Sequence, residues 1–156
     1  MINADMRLIV EAAKLTIVAT VRPDGSPSLS PKGSARVYDD KHIAFMNIAS
    51  PGTIANLTAD PRLEMNAVDF LRRRGYRFTG RATIHGRGTS IHQWLHSWLL
   101  DLNGPDYPAH EAVLVRIDHV QPITSPAYTF GGADEGALVA EWSDKYRIVQ
   151  NEMEKM

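Results

Sequence analysis

From residue 15 to residue 21 the chain reads LTIVATV, rich in β-branched residues, and the PDG that follows supplies a turn. Ahead of that strand, Met6, Ile9, Val10 and Ala13 recur at helical spacing and predict a short amphipathic helix over residues 4–14. A second strand is predicted from about Ser28 to Tyr38 and a third from His42 to Ile48, with the DDK turn between them. These three strands form an antiparallel meander. Ser50 then offers an N-cap, Pro51 fits the first helical position, and Ile54 and Leu57 give a short helix its buried stripe before Pro61 ends it. LEMNAVDF is the fourth strand and YRFTGRATIHG the fifth, with an exposed LRRRG loop between them. Thr89 to Leu102 reads as a longer helix carrying Trp94, Leu95, Trp98 and Leu99, and EAVLVRIDHVQPI as a sixth strand. TSPAYTFGG connects to a closing helix over residues 135–156.

Six short strands with turn signals and a few helices predict a mainly β protein, a small antiparallel barrel with helices packed outside. Closure removes the exposed edges that such strands otherwise present. One domain over residues 1–156 is expected from the length. The second strand carries an anomaly. Pro31, Lys32 and Gly33 sit in its middle; proline cannot donate to the ladder, and glycine packs nothing and costs backbone entropy.

Charge and composition narrow the partners. Seventeen basic residues face eighteen acidic ones, which argues against nucleic acid or an anionic membrane as the binding partner. There is no cysteine, so disulfides, thiolate metal sites and thiol catalysis are excluded. The first residues lack a basic flank followed by an apolar core, and no apolar run reaches the ~18 residues of a membrane span. A soluble cytoplasmic protein is expected.

Two stretches could carry chemistry. At the start of the short helix, Ser50, Gly52 and Thr53 combine hydroxyl donors, free backbone amides and close backbone approach, the ingredients of a phosphate site, with Asn56 within reach. A plain helix cap is the bland reading of the same residues. In SPKGS, residues 30–34, Gly33 permits a ligand to approach the backbone and Lys32 adds a point charge; the bland reading is a bulged edge strand with a solvated lysine. The third strand joins the two stretches, so both can flank one groove with Met46 and Asn47 between them.

Other signals carry less. HQWLH places His92 and His96 four apart, but without the glutamate of the zinc-protease pattern or an evident third ligand, and no metal site is expected. Arg72, Arg73 and Arg74 read as a solvated loop, or one touching a cofactor phosphate. HGRGTS follows no βαβ pattern, and no Ser-His-Asp arrangement supports hydrolysis. Trp94, Trp98, Tyr128 and Phe130 suit a core or an interface between copies, or one of them could cover a ligand from a partner subunit.

The stretch TIVATVRPDGSPSLSPKGSARVYDDKHIAFMNIASPGTIANLTADPRLEMNAV resembles the FMN-binding split-barrel flavoproteins related to pyridoxamine 5'-phosphate oxidase. The shared features are the hairpin around PDGSP, then SPKG, an apolar strand, and a short helix ending NLxxDPR. RFTGRATI and VLVRIDHVQPITSPAYTFG extend the resemblance to roughly residues 14–131. It implies a homodimer of six-stranded antiparallel split β-barrels, with FMN held in grooves at the subunit interface, and an oxidoreductase activity. On this chain it implies that Ser30, Pro31, Lys32 and Gly33 border the flavin ring, that Met46 and Asn47 lie along ring and ribityl chain, and that Ser50, Thr53 and Asn56 hold the phosphate end. A non-catalytic flavin carrier or sensor, or a split barrel using a deazaflavin or heme, are the alternatives. Two departures stand out. Relatives often begin the short helix with Lys or Arg where this chain has Gly52, leaving Arg36, Arg77 and Arg81 as candidate cations for a phosphate. The Arg-x-His pattern of true pyridoxamine-phosphate oxidases is absent near the C-terminus, which argues against vitamin-B6 oxidation itself.

Overall fold

The computed structural model describes residues 1–154. In order, the elements are α1 (Ala4–Ala13), β1 (Thr16–Val21), β2 (Pro27–Lys32), β3 (Arg36–Val37), β4 (His42–Met46), α2 (Pro51–Ala59), β5 (Arg62–Asp69), β6 (Arg74–His85), α3 (Ser90–Asn103), β7 (Ala112–Thr124), α4 (Pro126–Gly131) and α5 (Glu135–Met153). The strands form one antiparallel sheet in the order β2-β1-β5-β6-β7-β4-β3.

That order corrects two expectations. The sheet has seven strands rather than six, because the second predicted strand is two short ones, β2 and β3, separated by residues 33–35. Nor do the first three predicted strands form a meander: β2 pairs with β1 only, and β3 with β4 only. The two halves of one continuous stretch therefore lie at opposite edges of the sheet. Seven strands laid flat would separate their edges by about 29 Å, whereas Lys32 to Arg36 can span at most about 15 Å. The sheet must curl until its edges nearly meet, and the breakers Pro31 and Gly33 sit at that seam. Across it a side chain substitutes for the ladder: the Met46 amide donates to Ser34 Oγ at 2.9 Å, and the same hydroxyl reaches the Met46 carbonyl at 3.4 Å.

Curling is helped elsewhere by an irregularity between Thr79 and Gly80 in the long β6–β7 pair. A Cβ at Gly80 would stand 2.2 Å from the Arg116 carbonyl oxygen, so only glycine permits that approach. Inside the barrel, Val18, Ile43, Phe45, Met65, Phe78, Val113 and Val115 are fully buried. Their strand neighbours point the other way. Ala44, Met46 and Ala112 face outward and meet Ile91, Leu95 and Leu99 of α3, so β4 is covered on both faces.

α1 is capped by Asn3, whose side chain accepts the Met6 amide at 2.9 Å, and it lays Ile9, Val10 and Ala13 on the barrel. In the stretch after β7, to which the sequence pattern assigns no element, Pro126–Gly131 is a helix, capped by Ser125. The arginine loop is not freely solvated. Arg74 of β6 pairs with Asp5 of α1 and Glu135 of α5, and Arg72 with Asp69 of β5 and Glu135, so this cluster ties four elements together.

Candidate functional site

Where the seam opens, Ser30, Pro31, Lys32, Gly33 and Ser34 form one wall of a cleft of about 300 Å³, and Met46, Ile48, Ala49 and Ser50 form the other. Six of the nine residues singled out in the sequence thus line a single cavity. Thr53 joins them from just behind the wall, through a bond from Lys32. The remaining two stand back. Asn47 accepts the Ser50 amide on Oδ1 at 3.0 Å and donates Nδ2 to Glu111 at 2.7 Å, holding the start of α2 in place. Asn56 is turned to β1, where it donates to Thr20 Oγ1 at 2.9 Å, and does not line the cleft. Ser34, Ile48 and Ala49 were missed as lining residues; Ser34 lay within the quoted SPKGS, but its part depends on the seam, which no local pattern encodes.

The chemistry concentrates at Lys32. Its side chain runs inward past the Phe45 ring and is only 4% exposed. The ammonium donates to Ser30 Oγ at 2.6 Å, Ser50 Oγ at 2.7 Å and Thr53 Oγ1 at 3.4 Å. No carboxylate among the described residues pairs with it. Burial lowers its pKa from the ordinary 10.5, as expected for a cation held among neutral dipoles. Ser50 is occupied with Lys32 and Asn47 and makes no side-chain cap to α2. The positive end of the helix dipole and the ammonium therefore converge on one spot, with Glu111 reaching it only through Asn47.

The three arginines that the sequence left as candidates lie elsewhere. Arg36 lies 4.6 Å from the Trp98 ring, Arg77 lies beside Asn66 and Glu64, and Arg81 is 3.8 Å from Asp118. None of the three lines the cleft.

The two glycines of the region are not demanded by the chain's own packing. A Cβ at Gly33 would meet only the Lys14 carbonyl oxygen, at 3.8 Å, and one at Gly52 would meet nothing within 4 Å. The space in front of both is free for a ligand. On its other side Gly33 borders a second hollow of about 520 Å³, whose walls include Arg36 and Trp98.

His92 and His96 do come together on α3, with ring centroids 5.3 Å apart and Nε2 of His92 buried without a partner. Among the described residues, no group of three or more metal-ligating side chains forms. Trp94 and Trp98 pack beside the α3 cluster, Tyr128 donates to the Arg72 carbonyl at 2.6 Å, and Phe130 is exposed. No described helix is long and apolar enough to cross a membrane.

Comparison with known proteins agrees with this architecture. HupZ of Group A Streptococcus superposes with a TM-score of 0.70 at 27% identity, covering 80% of this chain and 96% of that one. An FMN-binding protein of Syntrophomonas wolfei subsp. wolfei gives 0.64 at 14% identity, covering 78% of this chain and 90% of that one. An F420 reductase gives 0.61 at 21% identity, covering 76% and 98%. At those lower identities the last two speak to the fold alone. No curated protein matches the sequence. The family model for pyridoxamine 5'-phosphate oxidase matches residues 2–124, most of the chain and every strand of the barrel, and the protein belongs to that family.

Proposed function

We propose that the protein is an FMN-dependent oxidoreductase that holds its flavin in the seam cleft, with the phosphate on Lys32 and the start of α2. The observation that carries this reading is the buried, uncompensated Lys32 ammonium. Burying a cation without a counter-charge is costly, and a phosphate at the cleft's inner end would supply that charge. Ser30, Ser50 and Thr53 present hydroxyls there, and the Gly52 amide belongs to an uncapped first turn. The resemblance implies a place for Lys32 beside the flavin ring; its amine points to the helix start, which supports giving it to the phosphate end in this proposal. Pro31, Gly33 and Met46 are left to border the ring.

Bound FMN would supply hydride or electron transfer, chemistry that no side chain of this cleft offers. The chain's own residues bind and orient. Lys32 neutralises charge, Asn47 keeps Ser50 in position, and Gly33 leaves the wall open to a planar group.

A cleft of about 300 Å³ is at the lower limit for sites that enclose a ligand, which run to about 1,000 Å³. Closure by a second copy is therefore part of the proposal, and Leu29, 71% exposed on β2 beside Ser30, is the kind of apolar residue such a contact would cover. Among the alternatives, heme finds no histidine in the cleft lining. A deazaflavin bearing a phosphate would use the same cation.

The enzyme reading is tested with FMN-loaded protein mixed anaerobically with NADH or NADPH. Rapid loss of the flavin's visible absorbance with either donor supports an oxidoreductase. Loaded protein that neither donor reduces would favour a carrier.

A further inference from the structure

His92, in the first turn of α3, is a buried titratable group that the flavin reading leaves without a role. It is 4% exposed, and its Nε2 is buried with no hydrogen-bond partner. No described carboxylate stands within ion-pair distance of the ring. The titratable and charged groups around it come from three places. α3 itself brings His96, with ring centroids 5.3 Å apart, and the turn before α3 brings Arg87. The segment before β7 brings Asp106, Tyr107, His110 and Glu111. The sheet beneath α3 adds apolar residues, Ala44, Met46 and Ala112. Burial above all holds the His92 pKa below the ordinary 6.5, and His96 and Arg87 act in the same direction. The His110 backbone and Glu111 favour the charged ring, but the Glu111 carboxylate already accepts Asn47 Nδ2 at 2.7 Å.

The segment that covers His92 is also the one that steadies the cleft. Residues 105–109 wall a hollow of about 470 Å³ together with Arg87, His92 and His96, and Arg87 donates to the Ala109 carbonyl at 3.0 Å. The next two residues pair with Asn47 through the backbone. The Asn47 amide donates to the Glu111 carbonyl at 2.8 Å, and the His110 amide to the Asn47 carbonyl at 3.0 Å. Asn47 Oδ1 in turn accepts the Ser50 amide and hydroxyl at 3.0 and 3.3 Å, and Ser50 Oγ accepts from Lys32 at 2.7 Å. A continuous run of bonds therefore leads from the segment over His92 to the Lys32 ammonium.

We infer that His92 is a proton sensor for the phosphate end of the cleft: with the ring neutral, residues 105–111 stay seated and Asn47 holds Ser50, and with the ring charged, the segment lifts and the anion site loosens. This regulation rests on the flavin reading for its ligand, while the switch itself lies outside the cleft. A charged imidazole cannot stay buried without a partner, and its nearest route to water is a turn into the hollow, which displaces the segment that walls it. A bound phosphate needs the seated arrangement and so resists the proton. The coupling is reciprocal: the factor by which acid weakens FMN binding equals the factor by which FMN weakens proton binding at His92.

The test follows the His92 imidazole resonances by NMR from about pH 8 to about pH 5, with and without FMN, beside fluorescence titrations of FMN over the same range. The His92 pKa should lie about one unit lower in the loaded protein, and the parent should then lose about tenfold more FMN affinity towards acid than His92→Gln does. Comparing the two chains removes the ionisation of the phosphate itself, near pH 6. In ligand-free parent, hydrogen-exchange protection at the Asn47 and His110 amides, corrected for intrinsic rate, should fall as His92 titrates, and in His92→Gln it should hold. A His92 pKa that FMN leaves in place would overturn the inference, and that measurement needs no variant should His92→Gln fold poorly. Parent and variant losing FMN affinity in parallel would overturn it too. Protein that binds no FMN even at the alkaline end would refute the flavin reading instead. The switch would then stand or fall on the ligand-free parent, and protection at Asn47 and His110 that ignores the charge on His92 would end it.

Discussion

Replacing Lys32 with methionine separates the two roles that a buried lysine can have. In the folded chain its ammonium makes three hydrogen bonds, all to neutral hydroxyls, and has no carboxylate partner among the described residues. Methionine keeps an unbranched apolar stem and removes the charge, and with it the ammonium's contact over the Phe45 ring, 5.7 Å from its centroid. The lost hydrogen bonds are offset by relief of the buried charge, so stability should change by no more than about 1 kcal/mol, or about 3 °C in the melting temperature. Binding should respond differently. A hydrogen bond to a charged group contributes about 1.5–3 kcal/mol, so FMN should bind about 10- to 150-fold more weakly. Riboflavin, which lacks the phosphate, should bind parent and variant alike. Flavin fluorescence titrations with both ligands, beside ligand-free melting curves, give the four numbers needed. Unchanged FMN affinity would refute the reasoning, and so would an equal loss for riboflavin. A large drop in ligand-free stability would show instead that Lys32 holds the fold together.

Four further outcomes follow from the same geometry. Ser50→Asp brings a carboxylate to the position whose hydroxyl lies 2.7 Å from Lys32 Nζ, at a helix start; the ligand-free protein should melt higher and lose most of its FMN affinity, and a variant that binds FMN as before would count against the shared anion site. Gly33→Val has room in the fold, where the nearest atom to its Cβ is 3.8 Å away, so the melting temperature should hold while flavin content falls. The Lys32 pKa in the fold lies below its unfolded value, so between the two the folded chain binds fewer protons and gains stability as pH rises. A bound phosphate raises that pKa again; FMN binding at alkaline pH should take up protons and weaken with rising pH, and calorimetry in buffers of different ionisation enthalpy checks it. At the other end of the scale, hydrogen bonds from Arg74 and then Tyr76 hold the Asp5 carboxyl below 3.8, so its contribution is present above that pH and lost as pH falls through the depressed value. Asp5→Asn should flatten the acid limb of a stability-against-pH curve.

Much of this molecule was legible locally. The β-branched runs gave the strands away, and Ser50-Pro51 marked the start of α2. The spacing of Leu95 and Leu99 marked the face that α3 buries. Pro31 and Gly33 were readable as a fault in a strand, but their purpose was not, because strand partners are chosen by the whole sheet rather than by neighbours in sequence. Only the order of the strands shows that residues 33–35 join the two edges. The direction of Lys32 was hidden for the same reason. Its bonds to Ser50 and Thr53 cross 18 and 21 residues of chain, a distance no local pattern spans. Asn56 misled in the opposite way: a polar residue on the right helix turned out to satisfy Thr20 inside the fold. The helix Pro126–Gly131 is too short, at six residues, to show an apolar periodicity in the sequence.

The central claim, that the seam cleft holds FMN by its phosphate, is tested most directly by the visible spectrum of purified protein incubated with FMN and then desalted. The account predicts flavin bands retained at about one per chain, and no comparable retention of riboflavin. Colourless protein after desalting, or riboflavin retained as well as FMN, would contradict it.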